Sequence, residues 1–385
     1  MKRSELFGLS PVYLISGIIT IMLAEPVQRR LQFVLDAYQK YPNDNVTLCY
    51  FGMANEVFIV PTKEGKYVLK NCFKSNTREL ATNEVALIEH LNRHGCPTPA
   101  IVKDKNGNLF LEFDGQFYVM TEFISDMTYN WSSDIPDKAH QETVRALADF
   151  HKATKNFDEP YPGLRVGFLD MQACRNWLSG LQQQIEAADK SRTSVAKMAE
   201  LLPQYFALLN KLEDEMSTLD LSVLEKCYIH GDLHCFNLFY DQEGNFTQVI
   251  DFDFSRYDYR LTDIFWSSRI FFSRELKKRY SREELDSDDF ELAEDEAVEI
   301  LSKIWRMIIS EYRKSSSLSD QELSLVHLFV KSVPLYIVRF FSLTNSEEEC
   351  LRHLEWFEWE LSRGDKDVQC LQSVIKRVVD ELDSK

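Results

Sequence analysis

Two stretches of this 385-residue chain decide its fold. They are Ile229-His230-Gly231-Asp232-Leu233-His234-Cys235-Phe236-Asn237 and, shortly after, Val249-Ile250-Asp251-Phe252-Asp253. An Asp, an Asn five residues later and an Asp ending the next hairpin strand make the oxygen set that phosphoryl transfer needs. That chemistry asks for a carboxylate to orient the attacking hydroxyl and for hard oxygen ligands that hold Mg²⁺ against the phosphates. Asp232 suits the first task. Asn237 and Asp251 suit the second, because the turn Gln242-Glu243-Gly244-Asn245 folds the returning strand back beside the loop. Each residue taken singly has a structural alternative: Asp232 capping a turn after Gly231, Asn237 satisfying loop amides, Asp251 ending a strand. Their order and spacing together favour the chemistry.

A rival reading takes His230 and His234 as an H-x-x-x-H zinc pair. Zinc hydrolysis on such a helix needs a Glu directly after the first His, and here that position is Gly231, which also weakens a helix. A P-loop is excluded as well, since the chain has no G-x-x-x-x-G-K followed by Ser or Thr.

Upstream, a cationic clamp for phosphates is expected. Val57-Phe58-Ile59-Val60 and Tyr67-Val68-Leu69 read as a hairpin around Lys63-Glu64-Gly65-Lys66, and Lys70 follows the second strand. Residues 76–93 carry helical periodicity that ends at Gly95. Their apolar stripe runs through Leu80, Leu87, Ile88 and Leu91, and Glu84 falls on it, whereas Glu79 and Glu89 fall off. A carboxylate on a buried stripe needs a partner, and Lys70 is the natural one. Taken alone, Lys70 would read as a solvated strand end. Gly52 and Asn55, ahead of the hairpin, either let backbone amides approach a phosphate or only shape a turn. A second hairpin, 109–113 with 117–124, turns at Asp114-Gly115 and leads into a connector. There the backbone of Glu122, Phe123 and Ile124 is placed to bond an adenine edge.

The remainder fixes the organisation. Residues 25–41 form an amphipathic helix through Val27, Leu31, Val34, Leu35 and Tyr38. Strand pair, helix, strand pair makes an α+β unit, and from Asp137 onward helices dominate. The divisions are therefore 1–40 as an N-terminal extension and helix, 41–124 as a nucleotide-binding lobe, and 125–385 as a helical lobe with the catalytic loop and acceptor site. Ser319 with Glu322 forms a capping box opening a long apolar helix that Pro334 should kink. Net charge is −17, and residues 281–299 hold ten acidic residues against one arginine, a solvated face. With no basic cluster, such acidity argues against nucleic-acid partners. Eight cysteines without a C-x-x-C pair read as free thiols of a reducing cytoplasm. Met1-Lys2-Arg3 followed by the apolar run Pro11 to Ala24 resembles a secretory leader. The run is too short for a stable membrane span and is diluted by Ser16, Gly17 and Thr20, with Glu5 in the basic region. It reads as an extension, with Met22 as an alternative start.

With these residues in view, the chain resembles the superfamily of aminoglycoside phosphotransferases, choline kinases and homoserine kinases. The motifs H-G-D-L-H-C-F-N (230–237) and V-I-D-F-D-F-S-R-Y-D-Y-R-L-T-D-I (249–264) carry the resemblance. G-M-A-N-E-V (52–57), Lys70, Glu84 and L-A-D-F-H (147–151) follow in order and spacing. The match is nearest to homoserine-kinase-like and spore-coat-kinase-like members. It implies a two-lobed protein-kinase-like fold, with a small antiparallel-sheet lobe carrying one main helix and a large, mostly helical lobe. It also implies ATP in the cleft, Asp232 as catalytic base, Asn237 and Asp251 as Mg²⁺ ligands, and Lys70 with Glu84 as the phosphate clamp. Asp263 and His230 become supports of the catalytic loop, and His151 a structural helix residue. Asp253 stands where protein kinases carry the glycine of D-F-G. Gly231 replaces the arginine of H-R-D and no A-P-E follows, which points away from protein phosphorylation. The expectation is an ATP- and Mg²⁺-dependent kinase acting on a hydroxyl of a small molecule such as an amino acid, amino alcohol, sugar or aminoglycoside. Trp266, Trp305 and the Trp356/Trp359 helix are candidates to line the acceptor pocket. The alternative is a catalytically weak or inactive kinase-like protein with a structural or coat-associated role. The oligomeric state is left open.

Overall fold

The computed structural model describes residues 25–49, 55–72, 77–130, 133–159, 166–285, 287 and 290–384. The leader-like run and Gly52 lie outside them. Two compact units form. One takes residues 25–159 and 228–256, the other residues 166–227 and 257–384.

The first unit is built on a five-stranded antiparallel sheet. Its strands are β1 (Thr47–Cys49), β2 (Glu56–Thr62), β3 (Gly65–Asn71), β4 (Leu111–Phe113) and β5 (Gln116–Glu122), in the order β1-β2-β3-β5-β4. The β4–β5 turn puts Asp114 and Gly115 at φ of 53° and 67°, the left-handed pair that an Asp-Gly hairpin demands. Alternation then sorts the two faces. Phe58, Val60, Leu69, Tyr118 and Met120 turn to helix α1 (Glu25–Tyr38), whose Leu31, Val34, Leu35 and Tyr38 complete one core. Tyr38 also donates its hydroxyl to the Tyr118 carbonyl at 2.8 Å. On the opposite face, Cys72, Phe117 and Val119 pack on Ala81 and Val85 of α2 (Arg78–Arg93). Thr77 caps α2 by accepting the Leu80 N–H. Lys70 is registered beside Val119, so it emerges on the α2 face, where Glu84 stands.

The same unit holds α3 (Asp137–Thr154) and the hairpin of β6 (Leu238–Tyr240) and β7 (Phe246–Val249). Leu238 is paired with Val249, which brings Asn237 and Ile250 together: Ile250 donates its N–H to the Asn237 carbonyl at 3.0 Å. Tyr228 anchors this segment. Thr154 donates to its carbonyl at 2.7 Å and the Asn83 amide to its hydroxyl at 2.8 Å.

The second unit is helical: α4 (Met171–Ala187), α5 (Thr193–Ser217), α6 (Leu261–Arg279), α7 (Glu294–Ser315), α8 (Asp320–Ser324), α9 (Val326–Ile337) and α10 (Glu347–Asp383). Ser319 caps α8 as expected, but the helix it opens stops after five residues and α9 begins anew. The Glu322 carboxylate, needed to close the capping box, is instead fully engaged by Arg260, at 2.9 and 2.6 Å. Helix α9 runs through Pro334 to Ile337 before tightening into a 3₁₀ turn at Val338–Phe340. Trp305 is 0% exposed, so it belongs to the core rather than to a pocket wall. Arg279 neutralises part of the acidic stretch, meeting Glu296 at 3.1 Å and Glu299 at 2.7 Å. No helix among the described residues is long and apolar enough to cross a membrane.

Candidate active site

The strand Lys226–Ile229 delivers His230, fully buried between the rings of Phe150 and Phe252 with centroids 5.7 and 5.4 Å away. Its Nε2 lies 2.9 Å from the Ile250 carbonyl. A carbonyl only accepts, so Nε2 carries the proton and Nδ1 is left to accept the Asp232 N–H at 3.3 Å. The histidine thus ties the loop to the segment after the returning strand, which carries Asp251. Gly231 makes the bend at φ +82°, and a Cβ there would lie 2.2 Å from the Phe254 carbonyl oxygen. This is why the arginine of H-R-D has no place in this chain.

Asp232 follows with its side chain 30% exposed. His234 Nε2 stands 3.7 Å from Asp232 Oδ2. Burial, reinforced by neighbouring His230, pushes the His234 pKa down to about 3. The ring is therefore neutral at physiological pH, and the contact is dipolar rather than an ion pair. Asn237 is buried and donates Nδ2 to the Asp232 carbonyl at 2.9 Å, while its N–H reaches the His234 carbonyl at 2.9 Å. The loop is closed on itself, with the Asn237 amide oxygen as its hard acceptor.

Asp251 takes φ +69°, a left-handed conformation that costs a non-glycine residue roughly 1–3 kcal/mol unless its surroundings impose it. Asp251 is exposed. Desolvation by the protein around its carboxyl, then the charge of Asp253, raises its pKa against the pull of Lys70. Burial alone would discharge Lys70, but Asp253 and Glu84 outweigh it and keep the ammonium charged. Lys70 Nζ is bonded to Glu84 Oε1 and, at 2.8 Å, to Asp253 Oδ1. Asp253 Oδ2 in turn accepts from Asn55 Nδ2.

Lys70, Glu84, Asn55, His230, Asp232, Asn237 and Asp251 all lie within one compact unit. Asp263 is elsewhere, buried in the first turn of α6 in the helical unit. Of the connector, the Glu122 N–H is given to the Ala100 carbonyl at 3.0 Å and the Phe123 N–H to the Lys66 carbonyl at 3.1 Å. Neither amide is available to a base edge, which leaves that of Ile124. The engagement of Asp253 was not legible from the sequence. Its only signal is a second acid in I-D-F-D, where the kinase template has glycine.

The donor set fits a hard divalent cation. Three carboxylates, Glu84, Asp251 and Asp253, surround one ammonium, that of Lys70. Among the described residues no group of three or more His, Cys, Asp or Glu side chains forms a ready-made metal centre.

A sheet with one clamping helix, a H-G-D loop and a returning strand followed by D-F-D define the kinase-like class of phosphotransfer folds. The chain belongs to the phosphotransferase enzyme family, whose model matches residues 50–297. It is similar to the homoserine kinase of Methylobacterium radiotolerans, 24% identical over 213 residues, which are 53% of this chain and 57% of that protein. It is also similar to the homoserine kinase of Chelativorans sp., 28% identical over 235 residues, 60% of this chain and 66% of that protein. The chain thus spans less than two thirds of these relatives. Among solved structures, a microcompartment-associated aminopropanol kinase shares the fold with a TM-score of 0.62 at 17% identity, covering 90% of this chain and 98% of that one. An amicoumacin kinase in complex with AMP-PNP and Ca²⁺ gives 0.61 at 17% identity, over 87% and 93% of the two chains. A Plasmodium vivax ethanolamine kinase gives 0.58 at 14% identity, over 95% and 94%.

Proposed function

We propose that this protein is an ATP- and Mg²⁺-dependent phosphotransferase acting on a hydroxyl group of a small molecule. The observation that carries the reading is Lys70, bonded at once to Glu84 of α2 and to Asp253, two residues beyond Asp251. A clamp for phosphate oxygens and a seat for their counter-ion are thereby adjacent. In this reading Lys70, oriented by Glu84, meets the α- and β-phosphates. Asn237 and Asp251 hold Mg²⁺, which when bound neutralises charge on the phosphates. Asp232 accepts a hydrogen bond from the acceptor hydroxyl and aims its oxygen. His230 holds the Asp232 backbone, and neutral His234 keeps a competing positive charge away from that carboxylate. The Ile124 amide is the adenine donor of the connector. Asn55 and Gly52 belong to the phosphate side.

The relatives favour an acceptor of the amino-acid or amino-alcohol kind, since homoserine, aminopropanol and ethanolamine are the substrates in their names. The eight free thiols, six of them buried, support a reducing, cytoplasmic setting. The test is coupled ADP release with a panel of homoserine, choline, ethanolamine, amino sugars and aminoglycosides, in wild type and Asp232→Asn. Transfer should fall by on the order of 10²–10⁴-fold in the variant, with nucleotide affinity kept, because only transition-state positioning is lost. Wild-type turnover by Asp232→Asn would refute the role given to this carboxylate.

A further inference from the structure

Lys70 is shared between two carboxylates, and the second is itself held on both oxygens. Asp253 Oδ1 accepts from Lys70 Nζ at 2.8 Å, and Oδ2 accepts from the amide of Asn55, which lies 198 residues away in sequence. Asn55 is only 7% exposed, and its Oδ1 is buried with no hydrogen-bond partner among the described residues. Burying half of an amide unsatisfied is unfavourable, and an apolar side chain there would avoid it. What offsets that disadvantage is the bond its other half makes. Register explains why one carboxylate reaches both groups. Val57 pairs with Lys70, so the start of β2, which Asn55 directly precedes, lies beside the end of β3, which bears Lys70.

We propose that Asn55 and Asp253 are positioning residues that hold Lys70 in a latch: Asn55 fixes the Asp253 carboxylate, and Asp253 competes with nucleotide phosphates for the Lys70 ammonium. The inference rests on the phosphotransferase reading for its consequence, though not for its geometry. Nucleotide entry exchanges one acceptor of Lys70, the Asp253 oxygen, for a phosphate oxygen, while Glu84 keeps its bond. Glu84 and Asp253 touch the same nitrogen yet act in opposite directions on affinity. Glu84 orients the ammonium toward phosphate, and Asp253 withholds it.

Two measurements test the latch. The first is the acylation rate of Lys70 by an activated ester, read by mass spectrometry of the peptide that contains it. It should rise severalfold in Asp253→Asn and Asn55→Ala and stay near wild type in Asp253→Glu. Asn55→Ser substitutes for Asn55→Ala if the latter does not fold. The second is ADP affinity in the presence of a metal chelator. Asp253→Asn should bind on the order of tenfold tighter, as expected from removing one charge-assisted competitor, and Glu84→Gln should bind more weakly. Unchanged Lys70 reactivity in both Asp253→Asn and the Asn55 variant overturns the latch, whether or not the protein uses nucleotides. Equal weakening of ADP binding by Asp253→Asn and Glu84→Gln also overturns it, since both residues would then be parts of one clamp. A wild type that binds no nucleotide with or without metal defeats the phosphotransferase reading, and the labelling result then decides the latch alone.

Discussion

Gly231 shows how a single position can be fixed from two sides. Its φ of +82° lies where an L side chain is strained, and the space a Cβ would take is already held by the Phe254 carbonyl and the Arg256 guanidinium. Gly231→Ala should therefore destabilise the protein by roughly 2 kcal/mol or more, combining left-handed strain with a backbone overlap that cannot relax cheaply. Urea unfolding of the variant measures it, and a loss under about 0.5 kcal/mol, the scatter of ordinary surface changes, would mean the loop adopts another path. The sequence allowed Gly231 to be read only as a departure from H-R-D, because the obstructing carbonyl is brought in by tertiary packing. Glu84 was legible by contrast: helix phase alone selects it over Glu79 and Glu89, and in the fold it bonds Lys70. Asp253 was not, since its two partners come from β3 and from the residue just before β2.

Among the elements, α5 presents a physical problem that its own sequence does not solve. Its N-cap residue is Arg192, which supplies no side-chain cap, so the first amides of a 25-residue helix need an acceptor from elsewhere. Glu347, in the first turn of α10, provides it. Oε1 accepts the Ser194 N–H at 2.8 Å, Oε2 accepts the Ser194 hydroxyl at 2.6 Å, and Arg192 Nε closes the set at 2.9 Å. These bonds, from Ser194 first and Arg192 after, hold the Glu347 pKa down to about 2. A carboxyl whose pKa is depressed by folding contributes stability above its unfolded value, about 4.3, and loses it as pH falls toward the folded value. The melting temperatures of wild type and Glu347→Gln should differ by a constant amount from pH 8 to pH 5. The gap should then narrow steadily on further acidification. A gap that widened below pH 5 would contradict the assignment. The local cap signal at Ser319 could be read, but nothing along the chain announces a cap borrowed from an element 153 residues away. The same long reach spoiled the capping box at Ser319, where Arg260 takes the Glu322 carboxylate.

At the scale of the whole molecule, the division of labour between the two units is itself testable. The sheet unit contains Lys70, Glu84, Asp232, Asn237, Asp251 and Asp253, although the last four come from residues 228–256, long after the sheet is complete in sequence. The helical unit, with ends at residues 166–227 and 257–384, contributes none of these groups. A ligand that binds only the folded form of one unit stabilises that unit by mass action, by about 2.7 kcal/mol when present at 100 times its dissociation constant. Amides that exchange only through opening of the unit should then slow by roughly 100-fold. With saturating Mg·ATP, hydrogen exchange should slow in β2, β3, α2 and residues 228–256, and stay unchanged in α4, α5 and α7. Asp251→Asn should abolish the part of this protection that depends on Mg²⁺ and leave the part produced by nucleotide alone, because Lys70 and Glu84 are untouched. Protection that appeared first in α5 and α7 would place the nucleotide groups in the wrong unit. Protection by nucleotide without any dependence on Mg²⁺, in wild type and variant alike, would remove Asp251 from the cation site while leaving the Lys70 clamp intact.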